Sequence, residues 1–174
     1  LGTTSMLLVA YVVFANAVLL SSFSTLENHL VKREAQVVTE VLEAYTRTLE
    51  IKISDWAAWD EAYEYVQSKN KKFEISNFEP TVLENLNISA MIFFDQRGKI
   101  INKLGFDIAN KKSAEISKSL LSVLEMRDDL KTFTSAKQSS KGIIRTAEGL
   151  MVYVSKPVVD TKMLREPKGT VFFG

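Results

Sequence analysis

Leu1 to Leu26 carries no charged side chain, and from Met6 to Leu20 its apolar run is interrupted only by Asn16. No other stretch restricts the fold so strongly. As a helix it would be about 39 Å long, against about 30 Å of hydrocarbon in a bilayer. The pattern predicts a transmembrane helix within residues 1–23, densest from about Thr3 to Phe23. Two other readings fit part of the run. Ala15-Asn16-Ala17 has the small-residue form of a signal-peptide cleavage site, but Val18-Leu19-Leu20 carries the apolar run past it. A buried core helix is usually shorter and more interrupted. The sequence begins with Leu, so residues preceding it are expected, and charge on that side cannot orient the helix.

From Ser24 the pattern becomes amphipathic. At about 100° per residue, Val31, Val38, Val41, Leu42, Tyr45 and Leu49 share one face, and Glu40, Glu43, Arg47, Glu50 and Ser54 lie opposite. Asp55 to Val66 continues the apolar face. It holds both tryptophans and two of the five tyrosines, with neither Gly nor Pro, so helix is its expected conformation. On a continuous helix Trp56, Trp59 and Tyr63 fall within about 60° of one another, flanked by Asp55 and Asp60, while Glu61 and Tyr65 point away. The expectation is one long helix over residues 24–67, with allowance for one break. Lys52 falls inside its apolar face, where an ion pair with Asp55 or a cation–π contact with Trp56 would hold it.

Beyond a polar connection carrying Lys69-Asn70-Lys71-Lys72, the periodicity changes. Thr81 to Leu86 reads as one or two helical turns. Ile88–Phe94 and Lys99–Leu104 read as a hairpin around Asp95-Gln96-Arg97-Gly98, a turn sequence. Ser113–Arg127 is helical, with Ile116, Leu120, Val123 and Leu124 on one face, and Gly142–Thr146, Leu150–Val159 and Gly169–Phe173 are further strands. The predicted fold is α+β: a long membrane-connected N-terminal helix, then over residues 81–174 a five-stranded antiparallel sheet with flanking helices. PAS-like and Cache-like sensor domains share that scaffold, an analogy that assigns no chemistry.

Composition excludes several functions. The 22 basic and 21 acidic residues give a net charge of +1, without the basic face that nucleic-acid binding needs. The absence of cysteine removes disulfides, thiolate metal sites and cysteine nucleophiles. A Ser-His-Asp arrangement would have to recruit His29, the single histidine, which follows the apolar run as a solvated juxtamembrane residue. Asp55 and Asp60, about 140° apart on one helix, do not form a glycosidase-type pair. Neither catalysis nor a cofactor is expected of this segment.

Asp55-Trp56-Ala57-x-Trp59-Asp60-x-x-Tyr63-x-Tyr65 resembles the signature of the CHASE4 family of extracytoplasmic sensor domains. Ile92-Phe93-Phe94-Asp95-x-x-Gly98-Lys99-Ile100, Leu150 to Val158, and Gly169 to Gly174 are similar to its first hairpin, late strand and closing strand, so the similarity covers Ser24 to Gly174. The resemblance implies a sensor anchored by an N-terminal membrane helix and followed by a second one leading to a cytoplasmic histidine kinase or diguanylate cyclase. On that plan the chain is a piece of a longer receptor, with residues from about 24 onward outside the cytoplasm and a homodimer expected. It implies no particular ligand.

Trp56, Trp59 and Tyr63 are candidate ligand contacts, although aromatics on an apolar helix face also serve simply as core. Asp60, if buried, needs a partner: an indole N–H, the Tyr153 hydroxyl, the Arg145 guanidinium or a ligand amine. Aromatics with a carboxylate make amine and amino-acid pockets in Cache-type sensors. Arg145 and Lys156, in the strands expected to border the pocket, suit a small carboxylate instead, or are solvated strand residues. The competing reading is a dimerisation or partner-binding module without a small ligand.

Overall fold

The computed structural model describes residues 32–174. The predicted membrane segment and His29 lie outside them. Among the described residues no helix is long and apolar enough to cross a membrane. The chain divides between Glu43 and Ala44. Residues 32–43 are helical, with Val37, Val38 and Val41 exposed. The unit from Ala44 to Gly174 contains the sheet.

Residues 32–57 are helical (α1). α2 (Asp60–Ser68), α3 (Lys71–Asn77) and α4 (Pro80–Leu86) follow, then β1 (Ala90–Asp95), β2 (Ile100–Asp107), β3 (Lys112–Ala114), α5 (Lys118–Met126), a 3-10 turn at Asp128–Leu130, β4 (Ser140–Thr146), β5 (Gly149–Val158) and β6 (Gly169–Phe173). The strands make one sheet in the order β3-β2-β1-β6-β5-β4, antiparallel throughout. Six strands replace the five expected. The additional one, β3, is exposed at all three positions, so no alternation of apolar and polar residues marks it. It is a short lysine-bearing edge strand of the kind that discourages edge-to-edge association. It also occupies the start of the predicted Ser113–Arg127 helix, which begins only after Ser117 caps it by accepting from the Leu120 N–H.

The two central strands explain the layering. β1 and β6 are buried on both faces, as their unbroken apolar sequences require. With a side-chain period of two, Met91, Phe93, Val154, Val158, Val171 and Phe173 point to one face, where they meet Leu49, Ile53 and Ala57 of α1 and Ala62, Tyr65 and Val66 of α2. Ala90, Ile92, Phe94, Tyr153 and Phe172 point to the other, against Leu120 and Leu124 of α5 and Leu130. The sheet is thus covered by the N-terminal helices on one side and by α5 on the other.

α3 lies in the stretch expected to be a polar connection. Asn70 caps it by accepting from the Lys72 N–H, and Phe73 is its single buried residue. Lys52 does sit within the apolar face, but its ammonium donates to the Leu86 carbonyl at the end of α4. Neither of the two partners proposed from spacing is used. The Asp95 carboxylate accepts from the Arg97 and Lys99 N–H groups, both at 2.9 Å, and Gly98 takes φ 74°, which is the expected turn chemistry.

Gly169 opens β6 at a place where both β1 and α2 come close to it. A Cβ there would meet the carbonyl oxygen of Phe94 and, at 2.8 Å, Cβ of Val66. We expect Gly169→Ala to destabilise the domain by about 2–3 kcal/mol through overpacking, measured by urea unfolding. A change below about 0.5 kcal/mol would mean that α2 does not lie on the sheet at this distance.

Candidate functional site

The aromatic stretch is not one helix. α1 makes its last regular bond from the Ala58 N–H to the Ser54 carbonyl, at 3.0 Å. Trp59 is extended (φ −137°, ψ 125°) and α2 starts at Asp60. No Gly or Pro causes the break. The Ala57 carbonyl, which an uninterrupted helix would give to residue 61, instead accepts from the Val159 N–H just beyond β5, at 2.8 Å. Ala58 and Val159 form an isolated parallel bridge. The chain leaving the end of β5 therefore captures the backbone and ends the helix.

Next to this bridge, the Thr161 N–H donates to the Asp60 carboxylate at 2.9 Å, and the Asp60 N–H donates to the Thr161 hydroxyl at 3.3 Å. Asp60 is exposed. The Thr161 N–H, with lesser help from the Thr161 hydroxyl and from Arg165 and Lys162, holds its carboxyl below the usual carboxylate range against the desolvation that opposes it. The loop that presents Thr161 is shaped by Asp160, 7% exposed, whose carboxylate accepts from the Leu164 and Arg165 N–H groups at 2.9 and 2.8 Å. Arg165 lies over the Tyr63 ring, 5.6 Å from its centroid. Helix break, strand exit and loop form one joint.

A cleft of about 390 Å³ opens beside the joint, lined by Glu50, Ser54, Ala57 and Ala58 of the helix side, Ala136 to Ser139, and Lys156, Pro157, Val159 and Met163. Lys156 donates to the Ser54 hydroxyl at 2.9 Å, and Lys141 pairs with Glu50 at 2.9 Å. Glu50 and Ser54 thus anchor α1 to β4 and β5, although the helical wheel places both on the face opposite the apolar one. A second cleft, of about 630 Å³, lies on the other side of the sheet between the β1–β2 turn and α5.

The six predicted site residues do not share a pocket. Trp56 and Trp59 are half-buried and pack edge to face, 5.8 Å apart. Trp56 also meets Phe93 and Phe173, and Trp59 meets Phe73. Tyr63 is buried in the same cluster. Tyr153 is on the opposite face, stacked on Phe172 at 5.8 Å, with its hydroxyl 3.3 Å from that of Ser140. Arg145 pairs with Leu150 at the end of the β4–β5 hairpin and is exposed. Of the protein groups expected for it, Asp60 bonds neither an indole N–H nor Tyr153 nor Arg145, and it bonds Thr161. Tyr65, expected to point away, is fully buried, stacked on Phe73 at 4.5 Å and bonded to Glu74. The extended residue at position 59 resets the helical phase, so azimuths counted through the break fail. Thr161 and Asp160 were not identified from the sequence, although an Asp-Thr pair directly after a strand is a legible turn signal.

The described residues of the unit from Ala44 to Gly174 thus form a six-stranded antiparallel sheet with helices packed on both faces. The extracellular domain of vpHK1S-Z8, assigned as a histidine kinase, superposes with a TM-score of 0.52 at 13% identity, covering 77% of this chain and 52% of that one. A domain of a Vibrio parahaemolyticus protein assigned to the sensory box/GGDEF family gives 0.50 at 12% identity, covering 77% and 54%. At such identities these likenesses concern the fold. The methanogenesis regulatory histidine kinase FilI of Methanothrix harundinacea (strain 6Ac) is 24% identical over 156 residues, which is 90% of this chain and 18% of that protein. The chain therefore spans under a fifth of that relative's length. The CHASE4 domain model matches residues 41–174, and the chain belongs to the CHASE4 family of sensory domains.

Because the Asp60 carboxyl lies below its ordinary value in the folded domain, the stability it adds is present above about pH 4 and is lost as pH falls through the depressed value. We expect Asp60→Asn to flatten the acid limb of the stability curve between about pH 5 and pH 3, measured by urea unfolding at each pH. An unchanged slope would show that the Thr161 bond does not form.

Proposed function

We propose that this domain is the extracytoplasmic sensor of a membrane receptor, and that the joint between α1 and the exit of β5 carries its signal. The observation behind this reading is the Val159 N–H donating to the Ala57 carbonyl. It makes the end of the entering helix part of the sheet, so a change in the loop after β5 must move the helix or break a buried hydrogen bond. Loss of such a bond costs about 1–3 kcal/mol, the scale on which conformational switches are poised.

In this account residues 1–23 form the membrane helix, and residues from about 24 onward lie outside the cytoplasm. The ligand is a small molecule: an amine, an amino acid or a small carboxylate. By analogy with the FilI relative and the sensory-box neighbour, the output is a histidine kinase or a diguanylate cyclase. A ligand acts by binding one arrangement of the joint more tightly than the other, moving the membrane helix by piston, tilt or rotation. Trp56, Trp59 and Tyr63 act mainly as packing that keeps the helix break rigid.

A second reading, pairing with another copy and no small ligand, is favoured by Val37, Val38 and Val41, which are 52%, 57% and 62% exposed along residues 32–43. An apolar stripe of this kind suits helix pairing, and a homodimer is compatible with the sensor account as well. The two readings differ over Asp60. If the joint carries the signal, Asp60→Ala, which removes the acceptor of the Thr161 N–H, shifts ligand-free output of the full-length receptor by at least about threefold, and Thr161→Val, which keeps that N–H and loses only the hydroxyl contact, shifts it in the same direction by less. Wild-type output from both variants, with the domain folded, would sink the joint and leave a module whose output follows dimer strength alone.

A further inference from the structure

The cleft beside the joint has more hydrogen-bond donors than its own acceptors engage. The Lys156 ammonium has three donors, of which Ser54 takes one at 2.9 Å. Glu50 approaches it only to 4.0 Å, beyond hydrogen-bond reach, and its other oxygen is taken by Lys141. The side chain of Lys156 is 23% exposed, and it lines the cleft with donors to spare. Lys137 and Ser139 line the same cleft. The Gln138 side-chain oxygen accepts from the Thr134 and Ser135 N–H groups, which commits its acceptor and leaves its amide to donate. The rest of the lining is the Glu50 carboxylate, which Lys141 pairs, and a set of apolar side chains that includes Ala57, Ala58, Pro157, Val159 and Met163.

We propose that this cleft binds a small monocarboxylate. The carboxylate accepts from Lys156 and from the donors of the 137–139 segment, and its short apolar chain lies on Ala57, Ala58 and Pro157. Charge-assisted bonds of this kind are about twice as strong as neutral ones. An amine is disfavoured, because the carboxylate of Glu50 is already neutralised by Lys141. The larger cleft near Arg97 and Lys99 is also basic, but it adjoins no residue of the joint. The proposal rests on the sensor reading for its biological meaning, whereas the binding itself does not.

The test is saturation-transfer NMR on the 174-residue chain in detergent, with acetate, propionate and butyrate as probes and propylamine as the neutral-shape, opposite-charge control. We expect saturable binding of propionate or butyrate and none of propylamine. Lys156→Gln should weaken binding at least about tenfold, Lys156→Arg should retain most of it, and Ala58→Leu should abolish it by filling the floor while leaving the ammonium in place. Melting temperatures within a few degrees of wild type establish that the variants are folded, and the comparison of Gln with Arg separates charge from structure. Binding that is absent, unchanged in Lys156→Gln, or lost in Arg97→Gln instead would overturn the site. Binding with these dependences but without any change in receptor output would uphold the site and overturn the sensor reading. Output governed by the Asp60–Thr161 bond without carboxylate binding would do the reverse.

Discussion

The hydrogen bond from the Val159 N–H to the Ala57 carbonyl determines how this domain is assembled. Local sequence favours helix through the aromatic stretch, with strong formers and no breaker between Asp55 and Val66. Ending the helix there forfeits intrahelical bonds, and the residue after β5 replaces one of them. Trp59 is left extended between two helices, so Trp56 and Tyr63 reach the same cluster from different elements. The reciprocal Asp60–Thr161 bonds then fix the direction in which α2 departs. The acidic first turn of α2, Asp60 and Glu61, suits the positive end of the helix dipole.

This arrangement divides labour between the two faces of the sheet. The face under the N-terminal helices is dense with aromatics, and Phe93 alone meets Trp56, Tyr65, Phe73 and Phe78. Interiors packed in this way behave as bistable units and do not deform continuously, a property that the proposed role of the joint would use. On the other face the covering is thinner, a single helix and the turn at Asp128–Leu130, where Ser155 is buried and donates to the Leu130 carbonyl.

Much of the fold was legible in the sequence because it rests on periodicity. The hairpin at β1–β2, the two late strands and the closing strand all carry patterns set by burial, and the Asp95–Gly98 turn carries the chemistry that its backbone needs. β3 could not be seen, because an exposed edge strand obeys no pattern, and α3 was overlooked although Asn70 is a ready cap. The candidate site was less legible for a different reason. Helical azimuths at Asp60 and Tyr65 assume an unbroken helix, and the break comes from a strand about one hundred residues away in sequence, a tertiary effect that overrides local propensity. Glu50 and Ser54 lie opposite the apolar face on the wheel, and a wheel built on hydrophobicity cannot show that lysines of β4 and β5 arrive there. Lys156 was recognised as a possible carboxylate partner, but its setting in a cleft on α1 emerges only from the packing.

The claim that the entering helix and the sheet are joined through Ala57 and Val159 is tested most directly by native-state amide hydrogen exchange on the full chain. Val159 is 1% exposed and donates to a helix carbonyl, so its amide should exchange as slowly as those of the β5–β6 ladder. Exchange at the rate of the exposed loop that follows, from Thr161 to Glu166, would show that the bond is not maintained and that the helix ends for another reason.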